Sequence, residues 1–363
     1  MSGKKYRVAI IGYGRSGRDI HTNLLLKLPE LYEIAYVVEA DAQRRDMANK
    51  ETGAKALDHY RELYSYTDFD FIINASFNMD HYPISLELLQ KGYNVLSEKP
   101  AATNSTELAE ILEAAKKSGR IFQAFQQSRF GAAFLKIKEV IASGVLGRIV
   151  HVGFNFSSFA RRWDWQTVQA FNAGSLLNTG PHPVDHALEL MGFPKDVQVS
   201  AAFDRAQTSG DAEDYAKLIL QAEGAPVADI EISSCNAFSE YTYLVQGRLG
   251  TLRGTGGRLE WKYYIEDNEE KRPLITTPLK GENGEPMYCK EQLTFHTGEW
   301  NASEEELDAF NYMGLAFYRN FYKTLSKGIP MEITNDQIMI QMKVMEEAHR
   351  QNRAKLQPFV SPK

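Results

Sequence analysis

The chain has 363 residues, 43% of them apolar and 24% charged, an ordinary globular composition that excludes a disordered or collagen-like polypeptide. The length exceeds the ~100–200 residues of one typical domain and predicts two, each able to bury a core. The formal charge of −6 arises from 47 acidic and 41 basic residues with no long run of either sign, so the electrostatic footprint of a nucleic-acid binder is missing.

Cys235 and Cys289 stand in no C-x-x-C pattern, which points to reduced thiols and away from a disulfide framework or zinc knuckle. The first apolar run, Val8 to Ile11, is too short for a signal-peptide core, and no stretch reaches the ~18–20 apolar residues of a membrane span. The expectation is a folded cytoplasmic protein with neither nucleic acid nor membrane as partner.

In chain order, YRVAIIGYGRSGRDIHTNLLLKL reads as strand, glycine turn and helix, with Ile20, Leu24, Leu25 and Leu28 at helical spacing. Strands are predicted at Ile34 to Val38 and Asp70 to Ala75, then a helix from Tyr82 to Lys91 stopped by Gly92, and a strand at Tyr93 to Leu96. A helix follows from about Asn104 to Ser118, with Glu107 completing a capping box and Gly119 as its stop, and Phe122 to Phe125 closes the series. Repeated β-α-β alternation implies a doubly wound parallel sheet with helices on both faces, a Rossmann architecture over residues 1–125.

Gly12-Tyr13-Gly14-Arg15-Ser16-Gly17 is G-x-G-x-x-G placed directly after the first strand and opening the first helix, the context in which the pattern carries meaning. Gly12 permits the tight turn, Gly14 leaves room for a pyrophosphate, Gly17 lets helix and strand close up, and the helix N-terminus favours negative charge. Glu39 ends the second strand 22 residues after Gly17, where a carboxylate accepts hydrogen bonds from ribose hydroxyls and repels a 2′-phosphate. NAD is therefore favoured as cofactor. NADP stays possible because Arg15, Arg44 and Arg45 lie within reach of a phosphate, and Asp41 is a second candidate for the ribose.

After residue 125 the pattern changes to short alternating runs such as GRIVHVGFNF, YAKLILQA and YTYLVQG. They predict an α+β domain over residues 126–363, built on a large, mainly antiparallel, open-faced sheet. A helix from Glu304 to Ser326 carries Phe310, Phe317 and Phe321 as a core stripe, and Thr334 with Gln337 caps a last helix running to about Arg353.

Within this part, LLNTGPHPVDHALEL brings together His182, Asp185 and His186, with Pro183 suited to the first helical position. Three readings stand open on the residues alone: a metal site, a proton-transfer site, or a structural cluster. No other His or Cys stands in a supporting motif, which argues against a metal.

VLSEKPAATN, residues 95 to 104, together with GYGRSG upstream and GSLLNTGPHPVDHALEL downstream, resembles the glucose-fructose oxidoreductase, inositol dehydrogenase and rhizopine-catabolism family (Gfo/Idh/MocA). The resemblance runs over essentially the whole chain. It implies that Lys99 of E-K-P lies beside the nicotinamide and the substrate hydroxyl, with Glu98 orienting it or its loop, and that His182 is the acid/base histidine. An ammonium beside an oxidised nicotinamide feels a like charge and partial desolvation, which lowers its pKa. Where many members carry aspartate, this chain has Asn178, which can orient a hydroxyl but cannot balance an imidazolium; Asp185 is then an alternative carboxylate. The family's cofactor-facing loop after the fourth strand corresponds to Ala75-Ser76-Phe77-Asn78, without its proline, and His81 follows. Arg161, Arg162, Trp163 and Trp165 fall on a loop over the cleft, where indole faces stack on sugar C–H surfaces and guanidinium groups grip hydroxyls or carboxylates.

These readings converge on an oxidoreductase that moves a hydride between nicotinamide and a secondary hydroxyl of a sugar, polyol or glycoside, with no metal. Two alternatives accompany it: redox-assisted glycoside cleavage with NAD recycled, and a non-catalytic dinucleotide or sugar sensor. The open sheet face predicts a homodimer or homotetramer.

Overall fold

The computed structural model describes residues 4–266 and 271–356. Six parallel strands, β1 (Tyr6–Ile11), β2 (Tyr32–Val38), β3 (Lys55–Leu57), β4 (Phe71–Asn74), β5 (Val95–Ser97) and β6 (Phe122–Ala124), stand in the order β3-β2-β1-β4-β5-β6. Their side chains are buried almost throughout, as expected when helices cover both faces of a parallel sheet. Strand order reverses between β1 and β4, and register pairs Ile11 with Asn74. The loops after these two strands therefore flank one crevice, the usual ligand position in an open α/β sheet.

Helix Asn78–Gln90 begins a turn earlier than the predicted Tyr82 and runs through Pro83, where proline forfeits only one main-chain bond. Helix Ser105–Ser118 ends at Gly119 as predicted, but only half of its capping box forms. Asn104 Oδ1 accepts the Glu107 amide at 2.9 Å, while the Glu107 carboxylate takes Thr103 N and Oγ1 instead of returning to Asn104.

The second sheet has eight strands: β7 (Ile149–Ser157), β8 (Gln198–Asp204), β9 (Tyr215–Gln221), β10 (Val227–Ser233), β11 (Tyr243–Gly247), β12 (Gly250–Gly254), β13 (Arg258–Tyr263) and β14 (His296–Asn301). Their order is β14-β13-β12-β11-β7-β10-β9-β8, antiparallel except for β7 beside β10. Ala228, Ile230 and Ile232 of β10 are buried under the helices, while Asp229 and Glu231 alternate with them on the opposite face. Lys217 and Asp229 form a cross-strand pair on that uncovered face.

Two hydrophobic cores result, and the first also draws on the C-terminal part of the chain: Phe317, Tyr318, Phe321, Ile333 and Met342 pack with the six-stranded sheet. The predicted Glu304 to Ser326 helix is broken at Asp308 into Glu304–Leu307 and Ala309–Lys327. Phe317 and Phe321 are fully buried but Phe310 is 64% exposed, so it is not core. Contact with the first core is in place at Gly314, whose backbone lies against Leu24, one turn after Phe310. Thr334 and Gln337 form the predicted capping box of helix Asn335–Asn352. Cys235 and Cys289 are free and exposed, and among the described residues no helix is long and apolar enough to cross a membrane.

Candidate active site

The crevice is built first by backbone. Gly12 has φ +89°, and a Cβ there would lie 2.4 Å from the Ala75 carbonyl of the neighbouring loop. At Gly17 a Cβ would lie 1.8 Å from the Gly12 carbonyl, so only glycine lets the first helix approach the turn. Gly14 has nothing within 4 Å of its Cβ position, leaving the bare backbone open to a ligand. The helix starting at Arg15 opens as a π-helix over Arg15–Thr22, and no side chain caps its start. A pyrophosphate fits this arrangement, since the site offers open backbone and the positive end of a helix.

Glu39 is anchored beside it. Its Oε2 accepts the Tyr13 amide at 2.8 Å and its Oε1 accepts the Asp41 amide at 3.0 Å. Arg45 donates to the main-chain carbonyls of Glu39 and Ala40, both at 2.7 Å, which holds it away from a 2′-phosphate. Asp41, the second ribose candidate, caps helix Ala42–Thr52 through the Arg44 amide. Tyr13 is buried, and its hydroxyl donates to Glu51.

On the far side of the crevice, Asn74 accepts the Ser76 hydroxyl at 2.7 Å and donates to the His81 carbonyl and Ser85. His81 is fully buried between the carbonyls of Pro100, 2.8 Å from Nδ1, and Ser76, 3.1 Å from Nε2. It thereby ties this loop to the E-K-P segment, and burial lowers its pKa. Asn78 reaches the second domain, donating to the Asn172 carbonyl at 2.9 Å and to Asn178 Oδ1 at 3.2 Å.

Lys99 occupies the centre. Its ammonium donates to the main-chain carbonyl of Asn178 at 2.7 Å, and the Lys99–Pro100 bond is cis. Burial lowers the Lys99 pKa, the Glu98 anion opposes that shift, and Arg15 adds to it. Glu98 is itself buried; its Oε2 accepts the Lys99 amide at 3.1 Å, and its Oε1 lies 3.2 Å from His21 Nε2. Burial alone would raise the Glu98 carboxyl, but His21 and then Lys99 and His81 hold it at about 2. The other His21 nitrogen, Nδ1, meets the Tyr318 hydroxyl at 2.6 Å. His21 and Tyr318 escape a motif-based reading because they lie on helices remote in sequence from E-K-P.

Helix Pro181–Leu190 starts two residues before Pro183, and Asn178 ends a separate short helix, Ser175–Asn178. Gln126 and Gln341 both donate to the Pro181 carbonyl, at 2.9 and 2.6 Å, fixing the start of the helix that carries His182. His182 is half-buried, and its Nδ1 is buried without a hydrogen-bond partner. Burial, followed by the Lys99 cation and His186, pushes its pKa well below the ordinary value, so the imidazole is neutral. Asn178 presents its backbone to Lys99, while its side chain is committed: Oδ1 accepts from Asn78 and Nδ2 donates to the Gln166 carbonyl at 2.8 Å.

Asp185 and His186 turn away from this centre. Asp185 is fully buried in a bidentate pair with Arg129, through Nε at 2.9 Å and through Nη2, so it neither supplies the missing carboxylate nor meets a substrate. His186 stacks on Phe134, ring centroids 3.9 Å apart, and its Nε2 lies 3.0 Å from the Ser128 carbonyl; burial pushes it down to about 3. His182, Asp185 and His186 therefore do not converge on one point where a metal could sit.

The segment 158–172 packs against the loop after β4 through Phe77 and Asn78. Arg162 is spent within it, on Asp164 at 2.6 Å and on Gln166, whereas Arg161 is exposed. Trp163 is 81% exposed, and Trp165 packs edge-on against Phe77 with centroids 4.9 Å apart.

Parallel sheet, glycine turn, anchored carboxylate and central lysine together define a two-domain oxidoreductase of the nicotinamide-nucleotide class. The comparisons agree: residues 6–126 match the model for the "Oxidoreductase family, NAD-binding Rossmann fold" and residues 134–253 match the "GFO/IDH/MocA C-terminal domain". The chain belongs to the Gfo/Idh/MocA oxidoreductase family. It is 24% identical to scyllo-inositol 2-dehydrogenase (NADP(+)) IolW of Bacillus subtilis, over 96% of this chain and 94% of that protein. It is 26% identical to D-glucoside 3-dehydrogenase of Escherichia coli, over 72% and 70% respectively. The solved structure of the WlbA dehydrogenase from Bordetella pertussis, in complex with NADH and UDP-GlcNAcA, shares the fold with a TM-score of 0.77 at 19% identity, covering 100% of both chains.

Proposed function

We propose that the protein is an NAD-dependent dehydrogenase of a carbohydrate-like secondary alcohol, with Lys99 and His182 as the residues that handle the hydroxyl. The observation that carries this reading is the position of Lys99: a partly buried ammonium on the nucleotide-binding side, 2.7 Å from the Asn178 carbonyl of the other, with His182 in its field. Gly12, Gly14, Gly17 and the helix start at Arg15 and Ser16 would hold the pyrophosphate, and Glu39 the adenosine ribose. Tyr13 supports Glu39 through its amide, while Ser76, Asn78 and His81 shape the opposite wall. When bound, the dinucleotide supplies the hydride acceptor.

The chain's own residues then deal with the proton. Lys99 donates a hydrogen bond to the hydroxyl oxygen and stabilises negative charge developing on it. The neutral imidazole of His182 takes the hydroxyl proton, a role its lowered pKa permits at neutral pH. Asn178 orients the site by its backbone carbonyl, not through its amide. Glu39, with Arg45 pinned to main-chain carbonyls, supports NAD over NADP, and the names of the inositol and glucoside dehydrogenases support a polyol or sugar as substrate. We place the nucleotide-binding unit at residues 1–125 and the substrate and oligomerisation unit at 126–363, whose uncovered sheet face suits a second copy.

A screen of polyols, sugars and glycosides, read as absorbance of reduced nicotinamide with NAD and NADP in parallel, tests the proposal. Reduction of NAD by at least one polyhydroxylated secondary alcohol is the expected result. Reduction by none of them, under conditions where NAD binds, overturns it.

A further inference from the structure

Three aromatic rings from two distant parts of the chain meet beside the loop after β4, one of the two loops that flank the crevice. Phe77 and Trp165 are 4.9 Å apart at 87°, Phe77 and Phe171 6.2 Å apart, and Trp165 and Phe171 6.4 Å apart. Phe77 stands in the loop after β4 and is 47% exposed. The next residue, Asn78, bonds to Asn178, whose carbonyl receives Lys99. The wall thus begins one residue from the contacts that surround the reacting centre.

The polar groups bordering the wall are engaged with one another. Asn78 donates to Asn172 and Asn178, Asn178 donates to the Gln166 carbonyl, and Gln166 Oε1 accepts from Arg162. A polyhydroxylated ring laid here would lose water and find these four side chains already committed to one another. A flat apolar group gives up little hydration and gains edge and face contacts with the rings.

The wall is also held in place before any ligand arrives. Ser209 N donates to the Arg162 carbonyl at 3.0 Å and Ala212 N to the Thr167 carbonyl at 2.9 Å. Gln169 bonds to Asp211 through its amide at 2.8 Å and through its side chain at 2.6 Å. Gly210 packs so closely on Thr167 that a Cβ would fall 1.9 Å from the Thr167 carbonyl. Such preorganisation lowers the ordering cost of binding. Trp163, outside this cluster, makes no ring contact among the described residues.

We propose that Phe77, Trp165 and Phe171 form an aryl-binding wall beside the reacting hydroxyl, and that the substrate is a carbohydrate-type alcohol bearing an aromatic or comparably flat apolar substituent. This specifies the substrate class of the dehydrogenase proposed above and rests on that reading. The wall replaces part of the stacking role expected of Trp163 and Trp165 on sugar C–H faces: here the sugar lies towards Lys99 and its substituent on the rings.

The test is calorimetric titration of the NADH-loaded protein with matched methyl and phenyl D-glucosides and D-galactosides, both anomers, alongside turnover with NAD. At least one phenyl glycoside should bind roughly tenfold or more tightly than its methyl partner, the order expected for one well-packed apolar group. Phe77→Ala and Trp165→Ala should each reduce that ratio below about threefold, while Phe77→Leu, which keeps the apolar surface without the ring, should restore part of it. A ratio below threefold for every pair, an absence of binding by all of them, or a ratio surviving both alanine variants overturns the wall. Tight phenyl binding without turnover would keep the wall and reject hydride transfer from these alcohols. Equal kcat/KM for methyl and phenyl partners would keep the dehydrogenase and reject the wall.

Discussion

His21 Nε2 and Glu98 Oε1 lie 3.2 Å apart in a region closed to solvent, and this contact couples the first helix of the nucleotide fold to the lysine at its centre. Glu98 is the link, because its other oxygen accepts the Lys99 amide. Removing its charge leaves the shape of the site but withdraws the one influence that raises the Lys99 pKa. In Glu98→Gln, Lys99 should lose its proton at lower pH, so the alkaline limb of the kcat/KM profile should shift to lower pH, with NAD affinity within about threefold of wild type. The same substitution should flatten the acid denaturation curve. Glu98 is held at about 2 in the fold against an ordinary value of 4.5, so its ionisation stabilises the native state above pH 4.5 and that contribution is lost as pH falls towards 2.

His182 is depressed in the opposite chemical sense, since burial and the Lys99 cation disfavour its protonated form. A base with that shift stays neutral well below the usual histidine range, so the acid limb of kcat/KM should lie well below pH 6.5. His182→Ala should slow turnover by about 10²–10⁴, and added imidazole should restore part of the rate. An acid limb near 6.5 in the wild type would show that another group takes the proton.

Much of this arrangement was legible in the sequence, for reasons that differ from place to place. Strand-helix alternation and the glycine turn could be read because each depends on neighbours within one supersecondary unit, as does the Thr334–Gln337 cap. His21 could not be read: it looks like any polar residue of an amphipathic helix until folding sets it against Glu98. Asn178 was visible as a departure from aspartate, yet which of its atoms faces Lys99 depends on a break in the helix at Thr179 and Gly180. Asp185 looked like a spare carboxylate beside a histidine because its partner, Arg129, stands on another segment.

Asp185 should therefore behave as a structural residue. Arg129 is almost fully buried and keeps Glu189 at 3.0 Å, so Asp185→Ala removes its bidentate partner without leaving the charge unpaired, at a cost of about 1–3 kcal/mol. Chemical denaturation should register that loss. The folded fraction should keep its kcat/KM within about threefold, and a selective loss of kcat would place Asp185 in the chemistry after all.

Glu39 should decide the cofactor. It receives two backbone amides, which fix the carboxylate where the proposal puts the adenosine ribose. Glu39→Ser should weaken NAD binding by about 10- to 100-fold, the worth of hydrogen bonds to a charged group, and leave NADP binding unchanged or tighter. The ratio of the two dissociation constants, measured by calorimetry, checks this.

The account stands or falls on Lys99, and the direct measurement is Lys99→Met assayed twice: NAD affinity at equilibrium, and single-turnover hydride transfer with a substrate found by the screen. We expect an affinity within about threefold of wild type and transfer slowed by about 10²–10⁴. Transfer at the wild-type rate would contradict a role for this ammonium at the reacting hydroxyl, and a loss of NAD binding in proportion to the loss of rate would reduce it to part of the cofactor cradle.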